Sequence, residues 1–511
     1  MVFKRLFLAS LIIIGLFLVG SPPVIAGAAD TLVIAFPTDF VDLDPHSHHV
    51  RENMIRDINQ FDSLLAKDAE TAQPIPSLAE SWEVIDDLTW EFYLRQDVTF
   101  HNGDPFTAKD VKFSIERILD PDFGSPQYGR LSPIKEVVVI DDYTVQIITE
   151  EPWPLLLENM TYSCIIPMDY YMEVGPEVFS NEAPIGTGPY MHVEWRRDQY
   201  LLQERYEDHW RGPAPFKFVR YRIIPERATR LAELMTGGVH VIRDVPPDLI
   251  EDLEKNPDTY ISAAPILRTH RYFFDTRTWP MSNRDFRQAC NYAIDWELII
   301  EELLYGWAGR LATNIAPMAF GFHPDLEPYP YDPDKARELL EKSGYYDDPQ
   351  EIPFHVAVPD PFRDIAEVAI ANLEEVGINI NPIFWEYGPS WLSLRNSGQL
   401  EPGIWTGAWG YYSLFDSIGI MEPDFDSEVG LFGRFYWNDP EVDELLDLTR
   451  RTVDHEKRKE AFFRIQEIVH EEAPLIFQFH QYEILGLHKD VEAVARPDEF
   501  LWLMDIKPTE N

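Results

Sequence analysis

Short apolar runs alternate with helices that carry clear end signals, from residue 31 to the end of the chain. Thr31–Phe36 (TLVIAF) is apolar and β-branched, which predicts a buried strand. Asp332 and Pro333 predict the start of a helix and Gly344 its end, because proline is tolerated at the first helical position and glycine just past the last. This alternation predicts α/β lobes rather than an all-α or all-β fold.

Further helices are predicted from capping boxes. Thr107 and Asp110 stand three residues apart before an apolar periodic segment, and Ser282 and Asp285 repeat the pattern. The second of these helices places Cys290 on its apolar face. A buried structural thiol is therefore favoured over a reactive one at this position.

Strand signals are concentrated in the first third of the chain. Thr89–Arg95 alternates apolar and polar residues, and Val137–Ile140 and Tyr143–Ile148 flank an Asp-Asp pair like the arms of a hairpin. Near the end of the chain, Asp454–Glu472 predicts a long helix that is followed by a strand at Leu475–Phe479. The first third therefore predicts a strand-rich insertion in an α/β frame.

The N-terminus has the pattern of a secretory signal peptide. Lys4 and Arg5 precede the apolar run Leu6–Val19, and small residues follow up to Ala28. The run is shorter than the ~20 apolar residues that a spanning helix needs, which disfavours an uncleaved membrane anchor. We expect cleavage near Ala28 and export of the mature chain.

The two cysteines, Cys164 and Cys290, are too few for a disulfide framework in 511 residues. One bridge between them stays open in an oxidising compartment. Neither cysteine stands beside the predicted cleavage site, so no thiol is available there for a lipid anchor. These features predict a freely diffusing periplasmic protein, and we expect a monomer.

Acidic residues outnumber basic ones by 88 to 43, which gives a formal net charge of -45. Such a charge repels nucleic acid and anionic membrane surfaces, so neither is expected as a partner.

Patterns of enzymatic or metal-binding sites receive no support. Gly186–Tyr190 (GTGPY) lacks the lysine of a phosphate-binding loop and predicts a turn into a strand. His46, His48 and His49 lie together, but no cysteine or carboxylate pattern supports a metal, and solvated or ligand-contacting histidines are the default. Neither a G-x-S-x-G nor an H-E-x-x-H pattern is present, so we expect no catalytic residue, no metal and no cofactor.

The segment Gly403–Ser417 (GIWTGAWGYYSLFDS) is rich in aromatic residues, although Asp416 is its one charged residue. Trp405 fits the core of a lobe and a ligand contact equally well. Trp409, Tyr411 and Tyr412 follow or flank glycines, which favours an exposed loop that contacts a ligand. Large aromatic faces with a polar N–H or O–H suit a peptide or an oligosaccharide.

A series of motifs resembles the family 5 extracellular solute-binding proteins, the receptors of ATP-binding-cassette importers for oligopeptides, dipeptides and nickel. In chain order the matching segments are Pro76–Val84 (PSLAESWEV), Thr89–Ile118, Ala183–Tyr190 (APIGTGPY), Arg220–Gly238, Phe286–Ile299 and Tyr331–Tyr345 (YDPDKARELLEKSGY).

The resemblance implies a periplasmic binding protein-like α/β fold: two lobes joined by crossing strands at a hinge, with an extra α+β subdomain inserted in the first lobe. The expected boundaries are residues 1–28 for the signal peptide, 29–50, 182–268 and 485–511 for the first lobe, 51–181 for the subdomain and 269–484 for the second lobe. The implied partners are a small solute and a membrane permease. No chemistry on the solute is implied.

The resemblance also bears on the solute. In peptide-binding relatives an aspartate three residues after a tryptophan pairs with the α-ammonium group, but here the equivalent position holds Ala408 or Tyr412. Asp416 or Asp39 could supply the acid from a shifted position. With these, His48 and Trp385 complete the predicted ligand-binding set. A peptide receptor is expected first, an oligosaccharide receptor of the same family is the alternative, and a secreted hydrolase is a distant third.

Overall fold

The computed structural model describes residues 30–358, 362–409 and 414–509. The strands are β1 (Thr31–Phe36), β2 (Leu65–Lys67), β3 (Pro74–Pro76), β4 (Ala79–Asp86), β5 (Thr89–Leu94), β6 (Ile134–Asp141), β7 (Thr144–Thr149), β8 (Tyr190–Arg196), β9 (Tyr200–Arg205), β10 (Phe218–Ile223), β11 (Val241–Ile242), β12 (Thr259–Phe274), β13 (Ala308–Arg310), β14 (Glu351–Val358), β15 (Asn379–Glu386), β16 (Ile404–Trp409), β17 (Leu475–His488), β18 (Val491–Glu492) and β19 (Lys507–Pro508).

Helices lie between these strands along the whole described chain. They are α1 (Arg51–Gln60), α2 (Ala108–Leu119), α3 (Tyr128–Leu131), α4 (Leu156–Asn159), α5 (Met168–Asn181), α6 (Arg227–Met235), α7 (Ile250–Lys255), α8 (Arg284–Ala293), α9 (Trp296–Leu303), α10 (Pro333–Ser343), α11 (Phe362–Glu375), α12 (Pro389–Asn396), α13 (Ile418–Phe425), α14 (Gly433–Tyr436), α15 (Pro440–Arg451) and α16 (His455–Glu472), with short 3-10 helices at Pro247–Leu249 and Tyr345–Asp347.

One large sheet runs through both lobes in the order β15-β14-β16-β12-β17-β11-β1-β10-β9-β8, with β13 paired to β17. Its two central strands are the long antiparallel pair β12 and β17, which pair from Thr259 opposite His488 to Phe273 opposite Leu475. One end of this pair joins the strands of the first lobe and the other end joins β16, β14 and β15 of the second. The two-lobed α/β fold and its crossing strands are thereby confirmed.

The second lobe buries both faces of its part of the sheet. Along β12, Tyr272 and Phe274 point into a core shared with helices α8 to α11. Phe273, between them, points into the opposite core, which contains Trp405 and residues of α12 to α16. A strand covered on both faces must be apolar at successive positions, which explains the continuous hydrophobic run.

In the first lobe, α1 packs on the sheet. Met54, Ile55 and Ile58 of this helix share a core with Leu32 and Ile34 of β1. The helix therefore packs with the first-lobe sheet, and the boundary of the inserted subdomain at residue 51 stays a prediction. The inserted subdomain has its own four-stranded antiparallel sheet, in the order β4-β5-β7-β6.

Local signals predicted the ends of several helices. The Thr107–Asp110 capping box is present at α2, and Gly344 ends α10 in the left-handed conformation with φ of 85°. The start of α8 was predicted one residue too early: its N-cap is Asn283, which accepts a hydrogen bond from the Phe286 amide, rather than Ser282. Both cysteines are buried free thiols in separate cores.

The GTGPY segment is a turn that leads into β8, as predicted. A Cβ atom on Gly186 would lie 2.2 Å from the Gln60 carbonyl oxygen, and one on Gly188 would lie 2.6 Å from the Gln60 carbonyl carbon. His101 of the subdomain holds the turn from the other side. Its amide donates to the Gly186 carbonyl at 2.9 Å, and its Nε2 lies 2.9 Å from the Gly188 carbonyl oxygen.

Within the described residues, no helix has the length and hydropathy that crossing a membrane requires.

Candidate ligand-binding cleft

The pairing of the two crossing strands is interrupted where they pass from one lobe to the other. Pro265 lies opposite Tyr482, but the next paired residues are Thr269 and His480, so β12 carries extra residues at this point. The interruption is a β-bulge, a feature that bends strands and is frequent next to functional sites. Arg268 stands in the bulge, with 34% of its side chain exposed.

A network of seven charged side chains surrounds this bulge, linked by contacts of 4 Å or less. We call it the hinge charge cluster; its members are Arg51, Glu52, Arg243, Asp244, Arg268, Glu483 and Glu499. Glu499 lies at its centre and accepts hydrogen bonds from Arg51 at 2.6 Å and from Arg268 at 3.0 Å. The cluster thus connects α1, the segment after β11, both crossing strands and the C-terminal segment.

Two carboxyl groups of the cluster are buried: Glu483 is 4% exposed and Glu499 is 2% exposed. Glu483 lies on β17 opposite Ala264, and its Oε1 is 2.7 Å from Nη2 of Arg243. Burial and the nearby Asp244 and Glu499 charges raise the pKa of Glu483, while Arg243 and Arg51 lower it. The balance is a pKa of about 7.

Asp244 lies on the wall of a recess. Its side chain is 46% exposed and its Oδ2 is 2.8 Å from Nη2 of Arg51. Burial is the largest single influence on its pKa and raises it, but Arg51, Arg243 and Arg268 together lower the pKa to about 2. A side chain in a concave surface can contact water while protein atoms surround it on most sides. Asp244 is therefore accessible and ionised.

Backbone conformation is unusual at two members of the cluster. Asp244 has φ of 51° and Glu499 has φ of 60°. These left-handed values are uncommon for residues other than glycine and carry a conformational cost of about 1 kcal/mol or more each. The surrounding contacts therefore hold both carboxylates in position against a local backbone preference.

Sequence reasoning missed this cluster. Its members range from Arg51 to Glu499 in the chain, as single charges or adjacent pairs in a sequence with 88 acidic residues. No local spacing links them, because the bulge that assembles them depends on strand pairing between distant segments. The signal that could have directed attention there is the run of charges at Arg243 and Asp244 directly after a buried strand.

The aromatic segment singled out in the sequence adjoins the same hinge. The backbone of Trp409, at the end of β16, lies opposite Thr269, which follows Arg268. On the other side of the segment, the Phe415 ring lies 4.7 Å from Nζ of Lys67 in β2. Tyr411 and Tyr412 lie outside the described residues, as does the side chain of Trp409, and their contact with a ligand stays a prediction.

Two other residues of this segment are held in the second lobe. The Trp405 ring is 1% exposed and stacks on Phe273 with centroids 4.0 Å apart and an interplanar angle of 5°. Asp416 is 5% exposed and its Oδ2 lies 2.8 Å from Nη2 of Arg458. The structure places Trp405 in the lobe core, one of the two alternatives, and gives Asp416 an internal arginine partner in place of a ligand.

Asp39 and His48 have structural partners within the first lobe. Asp39 accepts hydrogen bonds from Trp195 Nε1 at 3.0 Å and from the Asp198 amide at 2.8 Å, so it fixes the β8–β9 turn. His48 is buried with Nε2 3.4 Å from Asp57 Oδ2, and burial lowers its pKa to about 4. Neither residue is brought to the hinge.

Trp385 lies near the end of β15, the outermost strand of the sheet in the second lobe. Its Nε1 donates to Nδ1 of His355 at 3.2 Å, and its ring is half-buried. The predicted ligand set is thus spread over the molecule, and Trp409 is the member whose backbone the structure places beside the hinge.

The histidine group does not converge on a common point. His46 is buried, with Nε2 2.8 Å from the Cys164 carbonyl oxygen and Nδ1 2.9 Å from Arg117. Among the residues that the structure describes, no grouping of three or more His, Cys, Asp or Glu side chains could hold a metal ion.

Comparisons with known proteins identify the family to which this architecture belongs. Residues 73–427 match the sequence profile described as bacterial extracellular solute-binding proteins, family 5 Middle. The chain is 30% identical over 456 residues to heme-binding protein A of Haemophilus influenzae, which covers 82% of this chain and 81% of the relative. It is 26% identical over 472 residues to the glutathione-binding protein GsiB of Pectobacterium atrosepticum, which covers 88% of each chain.

The fold agrees with a solved structure over nearly its whole length. HbpA2 from Haemophilus parasuis superposes with a TM-score of 0.85 at 25% identity and covers 94% of this chain and 100% of that one. Sequence profile, relatives and structure agree with the hinged two-lobe architecture described above. The chain belongs to the bacterial extracellular solute-binding proteins of family 5.

Proposed function

We propose that this protein is a periplasmic receptor that encloses a peptide-like solute between its two lobes and delivers it to the permease of an ATP-binding-cassette importer. The solute contacts are the hinge charge cluster on one side and Trp409, Tyr411 and Tyr412 on the other. Trp405, Asp416, Asp39 and His48 support the lobes and are not part of this proposed site.

The observation that carries the proposal is the interrupted pairing of β12 and β17. Two long strands cross between the lobes and lose their register at Arg268. A bend at this point moves one lobe relative to the other, which is the hinge closure by which binding proteins enclose a solute. A relative named for glutathione, which is a tripeptide, supports a peptide-like solute.

Export and monomeric state are parts of the same proposal. The predicted signal segment, residues 1–28, lies outside the described residues, so periplasmic location rests on the sequence pattern. The receptor binds its solute without chemistry on it, in agreement with relatives that are named as binding proteins.

The test is thermal unfolding of the mature chain with four separate probes: a tripeptide mixture, glutathione, hemin and a mixture of short oligosaccharides. A probe present at about 100 times its Kd stabilises the folded state by about 2.7 kcal/mol, which raises the Tm by several degrees. We expect the peptide probes to do so and to be recovered unchanged by mass spectrometry.

The other outcomes decide between the alternatives. Stabilisation by oligosaccharides alone supports a carbohydrate receptor, and stabilisation by hemin alone supports a solute like that named for the Haemophilus relative. Turnover of any probe contradicts the receptor assignment and favours a secreted hydrolase. Native mass spectrometry of the purified protein gives an independent identification, since a tightly held solute co-purifies in the cleft.

A further inference from the structure

We propose that the inserted subdomain and the second lobe form a clasp, in which Glu151 of the subdomain pairs with Arg451 of the second lobe when the cavity between them closes. This inference goes beyond the proposed function, because it concerns the contact between two parts of the protein and needs no solute. It follows from a cavity at the boundary of the two parts, from the charges on its walls and from the contacts at its edge.

The cavity lies where the subdomain faces the second lobe and has a volume of about 300 Å³. Residues 133 and 151–155, which flank β6 and β7, form one wall, and the opposite wall comes from α13, α15 and α16. The crossing strands lose their register at the bulge, and a bend there changes the distance between the two walls. The cavity is therefore a gap between two parts that move relative to each other.

Much of the cavity lining is apolar. Pro133, Pro152, Trp153 and Pro154 stand on the subdomain wall, and Ile418 stands on the opposite wall. Approach of the walls removes this surface from water, which is favourable in proportion to the area buried. The hydrophobic effect thus favours a narrower gap, but it does not specify the position at which the walls meet.

The second-lobe wall carries three arginines, two of which have acidic partners in their own lobe. Arg450 lies 3.0 Å from Glu422 and 2.7 Å from Asp426. Nη2 of Arg458 lies 2.8 Å from Oδ2 of Asp416. These two guanidinium groups are balanced within the second lobe, so the third arginine is the one with charge to offer the subdomain.

That third arginine is Arg451, the last residue of α15, and its side chain is exposed. Glu151 is exposed on the opposite wall of the same cavity. Among the residues that the structure describes, neither side chain has an opposite charge within 4 Å. Opposite charges on facing walls attract as the walls approach, and they fix the register in which two surfaces meet.

The subdomain and the second lobe already touch at the edge of the cavity. Val453, two residues after Arg451, packs against the core of the subdomain. Leu155 packs against that core and against the core of the second lobe. Further along the same boundary, the Phe415 ring lies 4.7 Å from Nζ of Lys67. These contacts keep the walls aligned, so that rotation at the hinge brings the two unpaired charges together.

Disulfide trapping tests this approach directly. The mature chain carries Glu151→Cys and Arg451→Cys, and its natural thiols, Cys164 and Cys290, are buried. A bridge requires the two Cα atoms to come within about 7 Å. We expect oxidation without added solute to join the two positions at least ten times faster than a control pair, measured by non-reducing gel electrophoresis.

The control pair combines Arg451→Cys with Glu116→Cys. Glu116 is an exposed acid on α2 of the same subdomain and is not among the residues that line the cavity. Since both pairs place exposed thiols on the same two parts of the protein, a difference in rate reports on position alone. Equal rates for the two pairs overturn the clasp.

Charge reversal tests the pairing itself. Glu151→Lys and Arg451→Glu each place like charges on the facing walls, whereas the two changes together restore the attraction with the signs exchanged. We expect each single reversal to raise the apparent Kd for a tripeptide mixture about threefold or more, because fewer molecules reach the closed arrangement. The double variant should bind like the natural protein.

A structural role alone would not produce this pattern. Both positions are exposed, so the Tm without solute should change little in any of the three variants. Asp169→Lys, which reverses one member of the exposed Lys109–Asp169 pair inside the subdomain, is the matched control and should leave the apparent Kd unchanged.

The contrary results are distinct. A double variant that binds as weakly as the single reversals, or single reversals that bind like the natural protein, overturns the clasp and leaves the receptor assignment in place. Absence of tripeptide binding by the natural protein contradicts the proposed peptide receptor, whereas crosslinking without solute still decides the clasp.

Discussion

Two groups of buried charges in this molecule differ in the balance of acids and bases. In the second lobe, Arg271 and Asp424 are fully buried, and the two Asp424 oxygens accept from Arg271 at 2.8 Å and from Asn314 at 2.7 Å. In the hinge charge cluster, acids exceed bases and one Glu483 oxygen lacks a hydrogen bond. The balanced pair, in which only Nε of Arg271 lacks a hydrogen bond within the described residues, lies in a lobe core, whereas the unbalanced cluster lies at the interrupted pairing of the two crossing strands.

The largest difference should appear on removal of an arginine from each group. Arg271→Met leaves Asp424 buried without its charge partner, which should lower the free energy of unfolding by about 3–5 kcal/mol. Arg268→Met, at a partly exposed position, should cost less than about 1 kcal/mol. Urea unfolding of both variants measures the two effects. A similar loss in both would end the distinction between a structural pair and a functional cluster.

Lowering the pH should reduce the free energy of unfolding through the buried histidines, whereas Glu483 of the hinge charge cluster should act in the opposite direction. Burial lowers the pKa of His46 and His48 to about 4 and that of His270 to about 3. The unfolded chain, with histidine pKa near 6.5, therefore binds more protons between these values, and stability is lost as the pH falls from 6.5 towards 4. We expect each of these three histidines to contribute a loss of roughly 2 kcal/mol at pH 5 relative to pH 7.

Glu483 contributes in the opposite direction. Its raised folded-state pKa means that the native state holds a proton more tightly, so its contribution to stability falls as the pH rises from about 4.5 through about 7. Urea midpoints of the natural chain and of Glu483→Gln between pH 5 and 7 measure this. The variant should show a steeper loss towards acid, and a shallower one would contradict the opposed signs.

The smallest expected effect concerns the aromatic segment. Trp409→Ala or Tyr412→Ala should weaken solute binding by about 1 kcal/mol or more while the Tm without solute stays nearly constant, as for an aromatic anchor in a cleft. Trp405→Ala is the control, because loss of a buried core ring should lower stability by about 3–5 kcal/mol. Calorimetric affinities that are unchanged in both Trp409 and Tyr412 variants would remove this segment from the site.

Local signals in the sequence were sufficient for elements whose ends depend on nearby residues. β1 was predicted from its apolar run and α10 from Asp332 and Gly344, because a buried strand and a capped helix are specified within about a dozen residues. The strand predicted at Leu475–Phe479 continues to His488. Its full length depends on β12, which lies some two hundred residues earlier.

The binding site could be predicted less well from the sequence, because its contacts also depend on residues from distant segments. Trp405 could be core or ligand contact, and the choice depends on Phe273, a residue from another segment that packs on its ring. Asp416 was predicted as a ligand acid, and in the fold its carboxylate pairs with Arg458, a residue that the sequence does not link to it. The role of a charged residue in this acidic sequence depends on its partners. These partners come from distant segments that are brought together only in the fold.

The tight turn at Gly186 and Gly188 has a mechanical consequence. Gly188 lies against the backbone of α1 at Gln60, and His101 of the inserted subdomain holds the same turn through three hydrogen bonds. First lobe and subdomain are thus fastened together where the chain returns from one to the other. We therefore expect the first lobe and the inserted subdomain to move as one body when the two lobes close about the hinge.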